Sequence, residues 1–274
     1  MNPKTQTPSA KRRTLLMLPL ALALSSCATP APSLSQAAGS SLRDPKAKSR
    51  DEYRHPTETL EFFELSPTQS VLEIAPGAGW YTDILAPYLR PAGKLYEAQY
   101  ISPTENEAAT RAAFEKKLAA TPSIYDKVLL GDLQAGKFEG FAESPLQVDR
   151  VLTFRNIHNW MEDGQLDANL RAFHQALKPG GILGVEEHRA KPGTSLQQMI
   201  ETGYVTEAFV IERITAAGFA LKGQSEINSN PRDTKDYPHG VWSLPPTYRG
   251  GNVDRARFAA IGESDRMTLT FVKR

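Results

Sequence analysis

The sequence predicts an α/β fold, a mainly parallel sheet with helices on both faces. Three observations carry that reading. Short apolar runs bounded by Gly and Pro recur between residues 70 and 272. Stretches with apolar residues three and four apart separate them. Runs and stretches alternate, a pattern that builds a parallel sheet rather than a sandwich or a helix bundle. Length and composition agree: 274 residues, 40% hydrophobic and 23% charged with 19 Gly, 20 Pro and one Cys, suffice for one sizeable core. They exclude disordered, collagen-like, disulfide-rich and multi-span membrane classes.

In chain order, His55-Pro56-Thr57-Glu58 before Leu60, Phe62, Phe63 and Leu65 reads as a short helix with Pro in its first turn. Val71 to Ala75 is a buried strand closed by Pro76-Gly77-Ala78-Gly79, and Trp80 to Leu89 a helix stopped by Pro91 and Gly93. Lys94 to Tyr100 is the second strand. Ser102-Pro103-Thr104-Glu105 is a capping box with Pro at the first helical position, opening a helix to about Ala120. Asp126 to Leu130 and Val148 to Phe154 are strands three and four. Gly164 to Leu177 is a helix presenting Leu166, Leu170, Phe173 and Leu177 on one face. Ile182 to Glu187 is strand five, Tyr204 to Ala217 a helix, and Phe219 to Asn228 and Met267 to Val272 the last strands. Residues 228–262, with Trp242 and Tyr248, read as a lid over a cleft or a surface excursion.

The first residues are an address. Lys11-Arg12-Arg13, an apolar run from Leu15 to Leu24 and small residues after it follow the order of a secretory signal. At ~1.5 Å per residue such a run falls well short of a ~30 Å hydrocarbon core. Four basic residues and no acid lie in 1–26, so their removal changes the net charge from +1 to −3. Nucleic-acid binding gains no support from that balance. Leu24-Ser25-Ser26-Cys27 resembles the lipobox of bacterial lipoproteins, which implies acylation of Cys27, and Ala28 after it implies sorting to the outer membrane, facing the periplasm. Arg12-Arg13-Thr14-Leu15-Leu16 loosely resembles a twin-arginine export signal, with Sec export as the alternative. The chain divides into a signal peptide (1–26), a lipidated flexible tether rich in Ala, Ser and Pro (27–49) and a single domain (50–274). No oligomeric state is read from it.

Open α/β sheets bind ligands beyond the carboxyl ends of their strands. Glu73-Ile74-Ala75-Pro76-Gly77-Ala78-Gly79 puts an acid at such an end and a Gly-rich turn after it. Gly77 and Gly79 permit a tight turn and close backbone approach, and the following helix directs N–H groups at an anionic group. This segment resembles the first motif of class I S-adenosylmethionine-dependent methyltransferases, with Ala75 replacing the usual first Gly. Glu97, 18 residues after Gly79, is read as ending strand two, where an acid accepts ribose hydroxyls. Gly131-Asp132 follows strand three, where the family places an acid against the adenine amino group. Asp149 opens strand four, and Leu177-Lys178-Pro179-Gly180-Gly181 is the family's helix stop before strand five. Arg54-His55-Pro56, Gly79-Trp80-Tyr81-Thr82, Arg155-Asn156-Ile157-His158 and Gly262 to Leu269 resemble a group of predicted bacterial methyltransferases, over about residues 50–274.

The resemblance implies a Rossmann-like seven-stranded sheet with its last strand antiparallel. It also implies S-adenosyl-L-methionine as cofactor and methyl transfer to a small-molecule substrate. Glu73, Ala75, Gly77, Gly79, Glu97, Asp132 and Arg155 are the expected cofactor residues. Asn156, His188 and Tyr204 are placed in the substrate pocket, and Arg155 with Asn156 suits an anionic or carbonyl group. His158, just after strand four, is the expected catalytic base, because imidazole exchanges protons near neutral pH. A structural histidine bonded to backbone is the other reading. Transfer from a sulfonium needs chiefly alignment of nucleophile, carbon and sulfur.

Glu186-Glu187-His188-Arg189 crowds ionisable groups at one strand end, but adjacent strand positions face opposite ways and no second cluster has ligand spacing, so no metal site is expected. Asp265-Arg266 reads as an ion pair, structural or functional. Two other functions compete. A non-catalytic envelope lipoprotein would bind a small molecule or partner in the same cleft. A nicotinamide-dependent oxidoreductase is disfavoured because Gly77-x-Gly79-x-x-Thr82 lacks the third Gly.

Overall fold

The structure, a computed structural model, describes residues 1–4, 31–103 and 108–274. Most of the signal segment, Cys27 and Thr104-Glu105 of the capping box lie outside the described residues. The helices and strands in chain order are α1 (Leu34–Ala38), α2 (Pro45–Lys48), α3 (Asp51–Arg54), α4 (Pro56–Phe62), β1 (Ser70–Ile74), α5 (Thr82–Leu89), β2 (Lys94–Ile101), α6 (Ala108–Ala120), α7 (Pro122–Tyr125), β3 (Val128–Gln134) and β4 (Lys137–Glu139). There follow β5 (Val148–Phe154), α8 (Ile157–Glu162), α9 (Leu166–Ala176), β6 (Leu177–His188), α10 (Leu196–Thr202), α11 (Glu207–Ala216), β7 (Phe219–Ser225), a 3-10 turn (Gly240–Ser243), α12 (Arg255–Ile261) and β8 (Arg266–Lys273).

The strands form one sheet in the order β4-β3-β2-β1-β5-β6-β8-β7. β1, β2, β3, β5 and β6 run parallel, and β8 enters antiparallel between β6 and β7. Alternation along the buried strands feeds two cores. Val71, Leu95 and Leu152 pack with Leu34, Leu60, Phe63 and Leu85 on the face covered by α1, α4 and α5. Leu72, Ile74, Val151 and Leu183 pack with Trp160, Leu170, Phe173 and Ile214 on the face of α8, α9 and α11. Each such side chain, removed from water, contributes ~1.5–3 kcal/mol. Among the described residues no helix is long and apolar enough to cross a membrane.

Among the described residues eight strands replace the expected seven. Ala135 and Gly136 both adopt positive φ, +47° and +73°, which makes a two-residue hairpin turn and folds β4 back on β3. An Ala in the left-handed region conceals that turn from sequence reading. In consequence β3 runs through Gly131-Asp132 instead of ending before it. Gly131 is required by closeness, since a Cβ there would lie 2.5 Å from the Glu139 carbonyl oxygen.

The expected tether is a second correction, because from Ser33 onward it is folded. Ser33 caps α1 in a capping box, and Leu34, Ala37 and Ala38 are buried in the core. Arg43, 3% exposed, makes two bonds to Asp51, and the Trp80 indole N–H donates to the Ala47 carbonyl at 3.0 Å. The Ala, Ser and Pro content suggested a linker, but three apolar residues on one helical turn suffice once a domain surface receives them.

Candidate active site

The strand order reverses between β1 and β5, and the cleft of an open sheet lies at such a reversal. Asn156 sits there. Its Nδ2 donates to the Ile74 carbonyl and to Thr153 Oγ1, both at 3.1 Å, and so ties the end of β1 to the end of β5. That uses both Nδ2 hydrogens, so Asn156, expected in the substrate pocket, serves as a strap and is not among the residues lining the cavity described below. At the other end of the same strands, Asp149 accepts from the Ser70 backbone N–H at 2.8 Å and pairs with Lys178 at 2.8 Å.

On the β1 side, Ala75 and Gly77 turn the chain with φ of +50° and +58°, and nothing lies within 4 Å of where a Gly77 Cβ would stand. Gly77 is therefore needed for its backbone angle and leaves an open cradle. Gly79 is small for another reason: a Cβ there would meet the Phe114 ring at 2.8 Å and Lys117 Nζ at 3.0 Å, so α6 packs directly on it. Lys117 bonds the carbonyls of Ala78 and Gly79 and pairs with Asp83.

Glu97 does not end β2. It lies within the strand, fully buried, and is the register partner of Glu73. Thr82 Oγ1 donates to Glu73 at 3.0 Å, and Glu97, which no N–H or cation meets among the described residues, has only Glu73 and Thr82 as side-chain neighbours to bond once it is protonated. Burial pushes the Glu73 carboxyl up to about 7. Burial and the facing Glu73 hold Glu97 well above the carboxylate range, so Glu97 is neutral at neutral pH. Two residues closer to the strand end, on the same face, Gln99 is buried with an unpartnered Nε2. Asp132, expected to be open, pairs with Arg111 of α6.

On the β5–β6 side a cavity of about 280 Å³ is lined by Arg50, Arg54, Arg155, His158, His188 and Trp242 among others. Successive residues of β6 serve its two flanks, as strand alternation requires. Glu186 accepts from Tyr81 Oη (3.0 Å), Arg155 (2.6 Å) and Arg266 (2.9 Å). Burial works against its charge, but Arg266 and Arg155 prevail and lower its pKa. Glu187 accepts from the Ile157 and His158 backbone N–H groups at the start of α8 (2.7 and 3.3 Å). It also accepts from the His188 N–H (2.8 Å) and meets His158 Nδ1 at 3.0 Å.

A carboxylate facing Nδ1 fixes the proton there, so His158 Nε2 is left as an acceptor, without a protein partner among the described residues and on the cavity wall. His188 Nδ1 meets Ser264 Oγ at 2.6 Å, and burial with His158 nearby keeps His188 well below its ordinary pKa, hence neutral.

The ligating atoms of His158, Glu187 and His188 lie within 4.8 Å of one another, a closeness the sequence reading did not foresee. The four donors on Glu187 nonetheless occupy all the lone pairs a carboxylate offers. It orients His158 instead.

Arg155, expected among the cofactor residues, lines this cavity and bonds Glu186 there. Tyr204 is a further correction. Its hydroxyl reaches both oxygens of Asp233 (3.0 and 2.9 Å), and it lines a separate pocket with Lys191 and Lys235. Asp265 and Arg266 do not pair. Asp265 meets Arg189 and Lys235, while Arg266 meets Glu186 and Glu263. The 228–262 segment supplies a wall of the cavity through Trp242, Pro245 and Pro246. Sequence reasoning missed Arg50 and Glu263 as site residues. Arg54 and Glu263 each stood inside a phrase used for the resemblance, yet they are 209 positions apart and meet only in the fold, at 3.0 Å.

No protein-family model and no curated protein matches the chain. Among solved structures its fold is similar to that of a SAM-dependent methyltransferase from Aquifex aeolicus. Identity is 20% over 71% of this chain and 93% of that one, with a TM-score of 0.52. It is also similar to the glycopeptide N-methyltransferase MtfA (15%, 84% and 100%, 0.52) and to the cyclase SpnF (18%, 80% and 80%, 0.54). The architecture is thus that of the Rossmann-like methyltransferase fold. A cyclase on the same fold shows that architecture leaves the reaction to the site.

Proposed function

We propose that the chain is an S-adenosyl-L-methionine-dependent methyltransferase for a small molecule held in the cavity between the ends of β5 and β6. The observation that carries it is His158, held through Nδ1 by the buried Glu187 on the wall of that cavity, one strap away from the glycine turn. The open cradle at Gly77 and the unpartnered Gln99 amide fit the cofactor, with Gln99 taking the place expected of Glu97. Bound there, the cofactor supplies a methyl carbon activated by a sulfonium. His158 Nε2 takes the proton of an oxygen or nitrogen acceptor, Glu187 stabilises the imidazolium that results, and Trp242 with the two prolines restricts water. A positioned base of this kind contributes ~10²–10⁴-fold.

Titration calorimetry of the full chain with S-adenosylmethionine tests the reading. Saturable binding is expected, lost in Gly77→Asp and retained in His158→Ala. A wild-type protein that binds none overturns it. We propose export and lipid attachment at Cys27 on the strength of the segment 11–27. The full chain is expected in the membrane fraction and Cys27→Ser in the soluble one, and identical fractionation of the two would refute the anchor.

A further inference from the structure

The cavity wall has a charge imbalance that the proposed reaction does not explain. Four guanidinium groups, Arg50, Arg54, Arg155 and Arg266, share two carboxylates, Glu186 and Glu263, and no other acid pairs with them among the described residues. Two positive charges are therefore in excess. Arg54 is 4% exposed and Arg266 1%, while the side chains of Arg50 and Arg155, 24% and 18% exposed, open on the cavity. Guanidinium cannot discard its proton as a carboxylate can acquire one, and an uncompensated buried charge is costly.

The donors are also unspent. Arg50 and Arg54 each use only Nε on Glu263, and Arg155 uses only Nη1 on Glu186, so both Nη groups of Arg50 and Arg54 and the Nη2 of Arg155 have no hydrogen-bond partner among the described residues. Arg54 is held in place by its stacking over Trp80, 4.7 Å from the ring centroid. Forked donors on a fixed frame match the oxygens of a carboxylate or phosphate. The Trp242 ring, 6.0 Å from that of His158, offers an apolar surface beside them, and about 280 Å³ admits only a small ligand.

We propose that this cavity takes a small dianion, a dicarboxylate or a phosphate monoester, whose charge is met by Arg50, Arg54 and Arg155 and whose apolar part lies against Trp242. The inference rests on the methyltransferase reading only in calling that dianion the substrate. Binding is measured without S-adenosylmethionine, so the two readings fail in separate titrations.

Calorimetry of the full chain with phthalate, phenyl phosphate and neutral benzamide is the test. At least one of the two anions is expected to bind at one site at least tenfold more tightly than benzamide, and the tighter of them identifies the head group. Arg54→Gln is expected to weaken that binding at least tenfold, and Arg50→Gln, whose side chain is partly exposed, several-fold. Arg90→Gln, remote on the surface, leaves it unchanged. Circular dichroism confirms each variant is folded, and Arg50→Gln carries the test if Arg54→Gln is not. Benzamide binding as tightly as both anions, neither anion saturating, or affinity unchanged in every folded cavity variant overturns the proposal.

Discussion

Glu73 and Glu97 face each other inside β1 and β2, and four arginines crowd two carboxylates at the ends of β5 and β6. Both clusters are buried and both hold more of one charge than the other. They resolve the excess differently because their chemistry differs. A carboxylate short of partners takes up a proton, and Glu97 does so at neutral pH. A guanidinium keeps its proton under almost any burial. Even Arg54, whose pKa burial and its neighbour Arg155 lower to about 9, is charged at pH 7. The acidic cluster can therefore rest without a ligand, whereas the basic one is suited to receive an anion from outside.

The largest effect should separate the clusters at once. Glu186→Gln leaves Arg155 without a carboxylate and Arg266 with Glu263 alone, and is expected to cost about 3–5 kcal/mol in urea unfolding at pH 7. Glu97→Gln replaces an already neutral group by its near-isostere and should stay within ~1 kcal/mol of wild type. Equal losses in the two variants would erase the distinction.

Acid and alkali should then act in opposite senses. Glu73, raised from 4.5 to about 7, binds more protons folded than unfolded between those values, so its contribution is greatest below 4.5 and falls as pH rises through 7. The loss is ~3 kcal/mol. Glu263 is held down at about 2: burial opposes its ionisation, but Arg54, Arg266 and Arg50 prevail. Its contribution is present above 4.5 and lost as pH falls toward 2, again by ~3 kcal/mol. Unfolding free energies measured from pH 3 to 9 should show the decline above pH 4.5 flattened in Glu73→Gln and the acid decline flattened in Glu263→Gln.

The smallest effect belongs to Lys117, the cation nearest the acid pair and part-exposed. Lys117→Met should change stability at pH 5 by less than ~1 kcal/mol while moving the alkaline decline of the Glu73–Glu97 pair to higher pH. An unmoved midpoint would show that the pair does not sense Lys117.

Much of this was readable in the chain. Alternating apolar runs determined the sheet and its two cores, because burial on both faces demands them. Pro76-Gly77-Ala78-Gly79 announced a turn at the first strand end, and His158 was placed after strand four by order alone. Local signals also misled where long-range contacts prevailed. Ala135 hid a hairpin, so Asp132 was put outside a strand that contains it. Glu97 was assigned to a strand end four residues before β2 stops, although the strand itself was read to Tyr100, because its spacing from Gly79 and not the extent of the strand placed it.

Periodicity and the backbone freedom of glycine sufficed for the class of fold, the succession of the strands along the chain and the turn that closes the first of them. Which charges meet was settled by the folded chain alone. Arg50 and Arg54 reach Glu263 across more than two hundred positions, Glu186 and Glu187 part to opposite faces of β6, and Tyr204 turns to Asp233. Electrostatic partnership depends on distance in space and on exclusion of water, and neither is written in the spacing of residues along the chain.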